Sequence, residues 1–498
     1  MARRATWLVA AGAVLALVPL TAARAATGPA TYADSSYRAH DLENVQRSLE
    51  RQTSELTTPG WDMALTTTGA ESALTSLSRQ VADLPQDRLH ATLGAVLPGG
   101  AVGQPQDYQA GSYRSVTFLA RTGAKLYGRV WGTEGAGAKP GVVITTGSIQ
   151  ATQEMYWWFA RTLAAHGYEV LTFDVQGQGE SETAGHAFGS ILPTTAGVPF
   201  QQAANFEEGT IDALRFFEST PSHPYRPLPR TDGDVAAAKA QAAADGEHLD
   251  WVNPGANVLD HSRLGIVGHS LGASAVSAVQ QCSDQGQVWK IVVLCQHTAF
   301  PIRAVIAWDR LSASNIVPVV PALDEEADGY FLNPEPSPTA PDPGAHLTAE
   351  RAWAKAGVDT MTFTVRGGVH TEWAVYPLIS LGTAYGTMMA NYYSLAWFDR
   401  YVKGDPMATG RILAGPTARD PRLPQPNDVA WNAHHFSVRY LSAWHLHDGA
   451  KLVDATDLRR VAKLSPVADW AGANADAIGA YDPPAAVGHG DGATGLGG

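Results

Sequence analysis

The stretch Leu264-Gly-Ile-Val-Gly-His-Ser-Leu-Gly-Ala-Ser-Ala-Val-Ser-Ala-Val-Gln-Gln281 decides how this chain is expected to fold. Its apolar beginning predicts a buried strand, and the small and apolar residues after Ser270 predict a helix. Ser270 stands between them with Gly268 and Gly272 on either side, which is the Gly-x-Ser-x-Gly pattern of a nucleophile elbow. The glycines are needed because side chains two residues from the serine would collide in so tight a turn.

Apolar strands alternate with helices on both sides of this stretch. Such an order predicts an α/β protein with a mainly parallel central sheet covered by helices on both faces. Ligands of such sheets bind beyond the carboxyl ends of the strands, where Ser270 is expected to lie. The pattern predicts strands over residues 115–119, 125–131, 142–146, 170–173, 264–267, 304–308 and 361–365, a weaker strand over 317–323, and helices over 154–166, 205–218 and 271–281.

The chain divides into a main domain and several smaller parts. Residues 113–405 form the main domain, with an insertion at 219–262 that contains an Ala-rich helical pattern from Val235 to Ala244. Residues 26–112 carry two helical patterns and are expected to form an N-terminal helical arm. Residues 406–481 are expected to pack on the domain as a C-terminal extension. The tail at 482–498 is rich in Gly and Ala and is expected to be disordered.

The first 25 residues predict a secretory signal peptide. Arg3 and Arg4 precede an apolar run from Trp7 to Leu20, and Ala23-Arg24-Ala25 supplies a small-x-small cleavage site. The apolar run is shorter than the ~20 residues that cross a bilayer. We therefore expect cleavage between Ala25 and Ala26, secretion, and no stable insertion in a membrane. The general secretory route fits better than the twin-arginine route, since the residues after the arginines match the latter poorly.

Composition narrows the classes of function. The formal net charge at pH 7 is −13, and an acidic surface repels phosphate backbones, which argues against nucleic-acid binding. The two cysteines, Cys282 and Cys295, can form a disulfide in an exported protein, with two buried free thiols as the alternative. No residues show the spacing of metal ligands, so neither a metal nor a cofactor is expected.

A serine hydroxyl is a poor nucleophile at neutral pH and needs a base. Where a nucleophile elbow opens a helix on such a sheet, its partners follow in the order serine, acid, histidine. His370 meets this order, because it follows the strand at 361–365 through a Gly-containing turn that can place an imidazole over the edge of the sheet. His435 and His447 are reserves for the same role.

The acid and the oxyanion donors follow from the same strand order. Asp328, a few residues after the weak strand, is the preferred acid, and Asp309, directly after the strand at 304–308, is its rival. The acid would hold the histidine tautomer and stabilise the imidazolium. The backbone N–H of Leu271 and that of Ser148, with Ile149 as the alternative, are expected to bind the oxyanion.

Three segments together are similar to the α/β-hydrolase superfamily: Gly268 to Gly272, Asp174-Val-Gln-Gly-Gln-Gly-Glu-Ser181, and Gly367-Gly-Val-His370. The resemblance covers roughly residues 113–405. Its closing segment, 396–405, is similar to the last helix of secreted bacterial dienelactone-hydrolase-like and esterase-like members. The resemblance implies the α/β-hydrolase fold and a serine hydrolase that works through an acyl-enzyme without a cofactor.

Aromatic residues close to these segments suggest a pocket for an apolar or aromatic group of a small-molecule or polymer ester. The expected substrate-binding residues are Tyr156, Trp157, Trp308, Tyr330 and Trp373. We expect a monomer or a small homo-oligomer.

Two rival functions keep the same fold. A serine peptidase or amidase would need a carboxylate pair to anchor a substrate amino terminus, for which Glu207-Glu208 and Glu325-Glu326 are candidates. The other rival is an exported binding protein that has lost activity, because a fold alone does not guarantee a function.

Overall fold

The computed structural model of the chain describes residues 113–148, 151–182, 184–186, 193–197, 203–329, 344–370, 372–374, 384–413, 436–437 and 440–461. These ranges comprise most of the main domain and part of the C-terminal extension. The predicted signal peptide, the N-terminal arm and the C-terminal tail lie outside them.

Twelve strands occur in the described part of the chain. They are β1 (Tyr113–Leu119), β2 (Lys125–Trp131), β3 (Lys139–Thr145), β4 (Glu169–Phe173), β5 (Ala184–His186), β6 (Pro193–Gly197), β7 (Leu259–His269), β8 (Ile302–Trp308), β9 (Ala322–Gly329), β10 (Thr360–Val369), β11 (Ala443–Asp448) and β12 (Lys451–Ala455).

Ten of these strands form one sheet in the order β1-β2-β4-β3-β7-β8-β9-β10-β11-β12, and β5 and β6 pair separately. The six central strands, from β4 to β10 in that order, run parallel to one another. The strands at the two edges pair antiparallel. The predicted α/β class with a mainly parallel sheet is confirmed.

Eight α-helices occur in the described residues, and they include the three predicted at 154–166, 205–218 and 271–281. They are α1 (Trp157–Ala165), α2 (Ala203–Phe217), α3 (Asp232–Asp245), α4 (Leu271–Val279), α5 (Thr348–Lys355), α6 (Ala384–Phe398), α7 (Ala408–Ile412) and α8 (Leu458–Val461). Helix α3 is the helix expected in the insertion, and it begins at a capping box made by Thr231 and Asp234. Within the described residues, no helix combines the length and the apolarity needed to span a bilayer.

Helices cover both faces of the sheet because its central strands are apolar on both sides. Val142 and Ile144 of β3 point into a core shared with α1 and α6. Val143, between them, points into a second core shared with α2, α4 and α5. Successive side chains of a strand face opposite sides, so a nearly continuous apolar strand needs cover on both. The carboxyl ends of the central strands therefore meet at one rim of the sheet.

Strand β9 differs from its prediction. The sequence suggested a weak strand at 317–323 followed by an acidic loop, but β9 begins at Ala322. Pro318 and Pro321 have no N–H to donate to a neighbouring strand, which fits the later start of β9, although the Pro321 carbonyl oxygen accepts from the Val305 N–H of β8. The acidic run from Asp324 to Glu326 instead lies inside the strand, and all three side chains are buried.

The sheet also extends further than the sequence suggested. Strands β11 and β12 of the C-terminal extension add an antiparallel pair next to β10. His445 and His447 lie in β11, and their rings bond to Asp454 and Asp359. The His447 ring bonds to Asp359, beside the beginning of β10, whereas His370 follows the end of β10. His447 is therefore not a reserve base, and His435 lies outside the described residues.

Cys282 and Cys295 form a disulfide, with their Cα atoms 5.3 Å apart. The bridge closes the loop between α4 and β8, and both cysteines are buried in the core shared with α2 and α4. The disulfide prediction is confirmed, and the alternative of two free thiols is wrong.

Candidate active site

Ser270 lies at the tight turn between β7 and α4. Its φ is 57° and its ψ is −119°, a conformation that non-glycine residues rarely adopt. A Cβ on Gly268 would lie 2.2 Å from the Gly272 carbonyl oxygen, and a Cβ on Gly272 would lie 2.4 Å from that of Thr146. The turn therefore closes only with glycine at both positions, for the steric reason that the sequence pattern suggested.

The imidazole of His370 lies between Ser270 and a carboxylate. Its Nε2 is 2.9 Å from the Ser270 hydroxyl oxygen, and its Nδ1 is 2.5 Å from Asp309 Oδ2. All three side chains are buried. The predicted contact between residues 270 and 370 is confirmed: the serine hydroxyl can donate to Nε2 while Nδ1–H donates to the carboxylate.

The carboxylate at His370 is that of Asp309 and not that of Asp328. Asp309 follows β8 directly and has a φ of 49°, which turns its side chain across to His370. Its Oδ1 accepts a hydrogen bond from the Ala327 N–H. Asp328 is still part of β9, and its side chain lies outside the described residues. The preference for Asp328 failed because it assumed that β9 ends before the acidic run.

Burial sets the protonation of this pair. It lowers the pKa of the His370 imidazole, which keeps the ring neutral and able to accept a proton. It raises the pKa of the Asp309 carboxyl, and the Ala327 N–H, His346 and Arg310 oppose that rise. Both shifts arise because a lone charge is costly away from water. A proton taken up by His370 would therefore be stabilised chiefly by the carboxylate beside it.

The two segments expected to supply oxyanion donors both border Ser270. Leu271 begins α4, and the first N–H groups of a helix have no partner within it. Ser148 is buried in the loop after β3. A Cβ on the preceding residue, Gly147, would lie 3.3 Å from the Ser270 Cβ, so this loop packs directly against the elbow. Ile149, the alternative donor, lies outside the described residues.

The predicted aromatic pocket is wrong for four of its five residues. Tyr156, Trp157, Trp308 and Trp373 are all 0% exposed and belong to the core shared with α1 and α6. Their rings pack on one another, as Tyr156 does on Trp308, and they offer no surface to a substrate. Tyr330 lies outside the described residues. Proximity in the sequence to the segments of the predicted site could not separate rings beneath the site from rings that line it.

Three polar side chains make contacts at the site that the sequence did not suggest. The Tyr156 hydroxyl lies 2.8 Å from His269 Nδ1, and His269 Nε2 lies 2.7 Å from the His370 carbonyl oxygen. Gln178 Nε2 donates to the Gly147 carbonyl oxygen at 2.7 Å. The signals available were a histidine inside the elbow motif and a glutamine in the loop after β4, neither of which identifies a partner by itself.

Three of the four carboxylates proposed as anchors for a peptide amino terminus, those of Glu325, Glu326 and Glu208, contact other side chains. Glu325 accepts hydrogen bonds from Trp373 and Ser394 in the core. Glu326 lies 3.0 Å from His346. Glu208 lies 3.7 Å from Arg121.

Among the residues that the structure describes, no group of three or more His, Cys, Asp or Glu side chains could hold a metal ion. A comparison with known proteins finds no matching family model and no matching curated protein. The function is therefore inferred from the geometry around Ser270.

Proposed function

We propose that this protein is a secreted serine hydrolase of the α/β-hydrolase fold that cleaves carboxylic esters through an acyl-enzyme. The observation that carries the proposal is the hydrogen-bonded series Ser270–His370–Asp309 at the rim where the parallel strands end. The strained turn at Ser270 and the strand–turn–helix around it support the fold, because a nucleophile elbow has this structure.

The geometry supports a two-step reaction. The Ser270 oxygen attacks the ester carbonyl carbon while its proton passes to His370 Nε2, which the neutral imidazole can accept. Asp309 keeps the proton of the ring on Nδ1 and stabilises the imidazolium. The N–H groups of Leu271 and Ser148 would bind the oxyanion of the tetrahedral intermediate.

Collapse of this intermediate breaks the bond to the alcohol, which leaves with the proton from His370. Water then attacks the acyl-enzyme as His370 takes a proton from it. The carboxylic acid departs, and the proton returns from His370 to the Ser270 oxygen. Every proton taken up by the histidine is given back, so no further reactant is needed.

Ester hydrolysis ranks above peptide hydrolysis because three of the four candidate anchor carboxylates contact His346, Arg121, Trp373 and Ser394. The predicted preference for an apolar or aromatic group is not supported by the four rings, because they are buried. It stays a prediction of the sequence. The N-terminal signal pattern and the disulfide support an oxidising, extracellular location.

The proposal is tested by labelling the serine and by following ester hydrolysis. Purified wild type should react with a fluorophosphonate probe and hydrolyse p-nitrophenyl esters. Ser270→Ala should lose the label and about 10⁴-fold or more in kcat, because no other group in the series can attack the carbonyl. Ser274→Ala is the matched control, since Ser274 lies one turn further along α4 and its hydroxyl contacts only Ser312 among the described hydrogen bonds.

Two results would overturn the proposal. Wild-type protein that neither labels nor turns over esters would favour the inactive binding protein. Turnover of aminoacyl anilides without turnover of esters would favour the peptidase.

A further inference from the structure

The loop after β3 is held at one residue from two directions. The Gly147 N–H donates to the Tyr156 hydroxyl oxygen at 3.1 Å. The Gly147 carbonyl oxygen accepts from Gln178 Nε2 at 2.7 Å, and the same amide nitrogen lies 3.3 Å from Thr146 Oγ1. Tyr156 and Gln178 are fully buried. The peptide groups on both sides of Gly147 are therefore fixed by side chains that water does not reach.

These bonds determine where the Ser148 N–H points. Gly147 C=O and Ser148 N–H belong to one planar peptide group, and in a trans peptide the two bonds point in opposite directions. Because Gln178 holds the carbonyl, the Ser148 N–H points away from Gln178. A rotation of this peptide would turn the N–H and would break the 2.7 Å bond from Gln178 to the carbonyl oxygen, which is costly in a buried site.

The same tyrosine connects the loop to the elbow and to the histidine. A carbonyl oxygen only accepts, so the proton of the His269 ring is on Nε2, where it is donated to the His370 carbonyl. Burial lowers the pKa of His269 well below its ordinary value, so the ring is neutral and its Nδ1 accepts from the Tyr156 hydroxyl. Tyr156 is thus an acceptor toward Gly147 and a donor toward His269.

We propose that Gln178, Tyr156 and His269 are positioning residues that orient the Ser148 N–H for the oxyanion and align it with the His370 segment. The inference rests on the proposed hydrolase function. The three residues act through backbone groups and do not touch the reacting atoms. The fit is close, because a Cβ on Gly147 would lie 2.9 Å from His269 Nδ1 and 3.2 Å from the Tyr156 hydroxyl.

Tyr156→Phe and Gln178→Met each remove one of the two bonds to Gly147 and keep most of the side-chain volume. Removal of an oxyanion donor lowers kcat by about 10²–10³-fold, so a donor that is misaimed should cost about 10–100-fold. We expect that loss in kcat, with KM for the p-nitrophenyl ester changed by less than about threefold. The inhibition constant for phenylboronic acid, whose serine adduct is tetrahedral, should rise by a similar factor, because such adducts resemble the transition state.

Tyr225→Phe is the matched control. Tyr225 is also buried, and its hydroxyl donates to the Leu119 carbonyl oxygen at 2.7 Å, away from Ser270. This variant should lose stability to a degree similar to that of Tyr156→Phe and keep the wild-type kcat and boronate affinity. Activities are expressed per active site, titrated with the fluorophosphonate, so that a smaller folded fraction does not count as a loss of rate.

The outcomes separate this inference from the proposed function. An active wild type whose Gln178→Met and Tyr156→Phe variants keep kcat and boronate affinity as Tyr225→Phe does would overturn the inference alone. If one of the two variants does not fold, the other decides. An inactive wild type would overturn the proposed function and the inference with it.

Discussion

Two regions of the described structure each contain two non-glycine residues with positive φ, and the strained backbone is held differently in each. At the rim of the sheet, Ser270 and Asp309 have φ values of 57° and 49°, and both side chains are buried and bonded to His370. After the disulfide loop, Gln296 and His297 have φ values of 47° and 57°, and both are exposed. Strained backbone persists only where the surroundings hold it.

The comparison teaches that the same backbone conformation serves different purposes. At the rim it turns a hydroxyl and a carboxylate from neighbouring parallel strands toward one imidazole. After the disulfide it only reverses the chain, as the bond from the Thr298 N–H to the Cys295 carbonyl shows. Substitutions at the rim should therefore change the rate of reaction, and substitutions in the loop should change stability.

After Ser270→Ala, the largest effect is expected from Asp309→Asn. Asparagine adopts positive φ about as readily as aspartate, so the backbone should be retained. Its amide can present an N–H to His370 Nδ1, which would force the ring into the wrong tautomer, and kcat should fall by about 10³–10⁴-fold. Ester kinetics measure the loss, and thermal unfolding checks that the protein is folded.

Asp328→Asn is the comparison variant for Asp309→Asn, since the sequence alone favoured Asp328. It should keep kcat within about threefold of wild type, because Asp309 already occupies His370 Nδ1. The reverse result would be a large loss of kcat from Asp328→Asn and a small one from Asp309→Asn. It would mean that the series Ser270–His370–Asp309 is not the one used in catalysis.

A smaller effect, on stability alone, is expected in the other region from the double variant Cys282→Ala, Cys295→Ala. The cysteines are 13 residues apart, and a loop of this length gives about 3 kcal/mol of stability through the unfolded state. Alanine is chosen because both sulfurs are buried among apolar side chains, where a serine hydroxyl would lack a partner. Urea unfolding measures the loss of stability. The difference between the variant and wild type should disappear when wild type is measured in reductant.

The rate per titrated active site should not change in this double variant. The disulfide lies beyond the carboxyl end of α4, whereas Ser270 precedes its first residue. A fall in kcat in the folded protein would show that the loop and the rim are coupled, and would remove the contrast between the two regions.

The sequence predicted the parts of the fold that depend on apolar periodicity and on glycine. Strand β2 was predicted with its observed bounds, and α4 was predicted to begin at Leu271. Ser270 and His370 could be predicted because a motif identifies the first and the strand order identifies the second. Both signals are local in the sequence, and the structure places His370 Nε2 within hydrogen-bonding distance of the Ser270 hydroxyl oxygen.

The rest depends on contacts that no local pattern contains. The choice between Asp309 and Asp328 depended on where β9 ends, and its buried acidic residues resemble a solvated turn in the sequence. Their burial is made possible by distant partners, such as Trp373 and Ser394 at Glu325. Tyr156 lies close in sequence to the predicted oxyanion loop, which suggests a pocket residue, whereas the partner of its hydroxyl, His269, is more than a hundred residues away.

The smallest effect is expected from Gln296→Gly, and Asp309→Gly gives its sharpest contrast, since each variant places glycine at a strained position of its region. Gln296→Gly relieves the cost of positive φ but gives the unfolded chain more freedom, so unfolding free energy should stay within about 1 kcal/mol of wild type and kcat should not change. Asp309→Gly relieves the same backbone strain but removes the carboxylate from His370, so kcat should fall as far as in Asp309→Asn. Urea unfolding and ester kinetics on both variants give the comparison. A loss well above 1 kcal/mol in Gln296→Gly would mean that its side chain, although exposed, stabilises the loop, and that the strain there is not merely that of a turn.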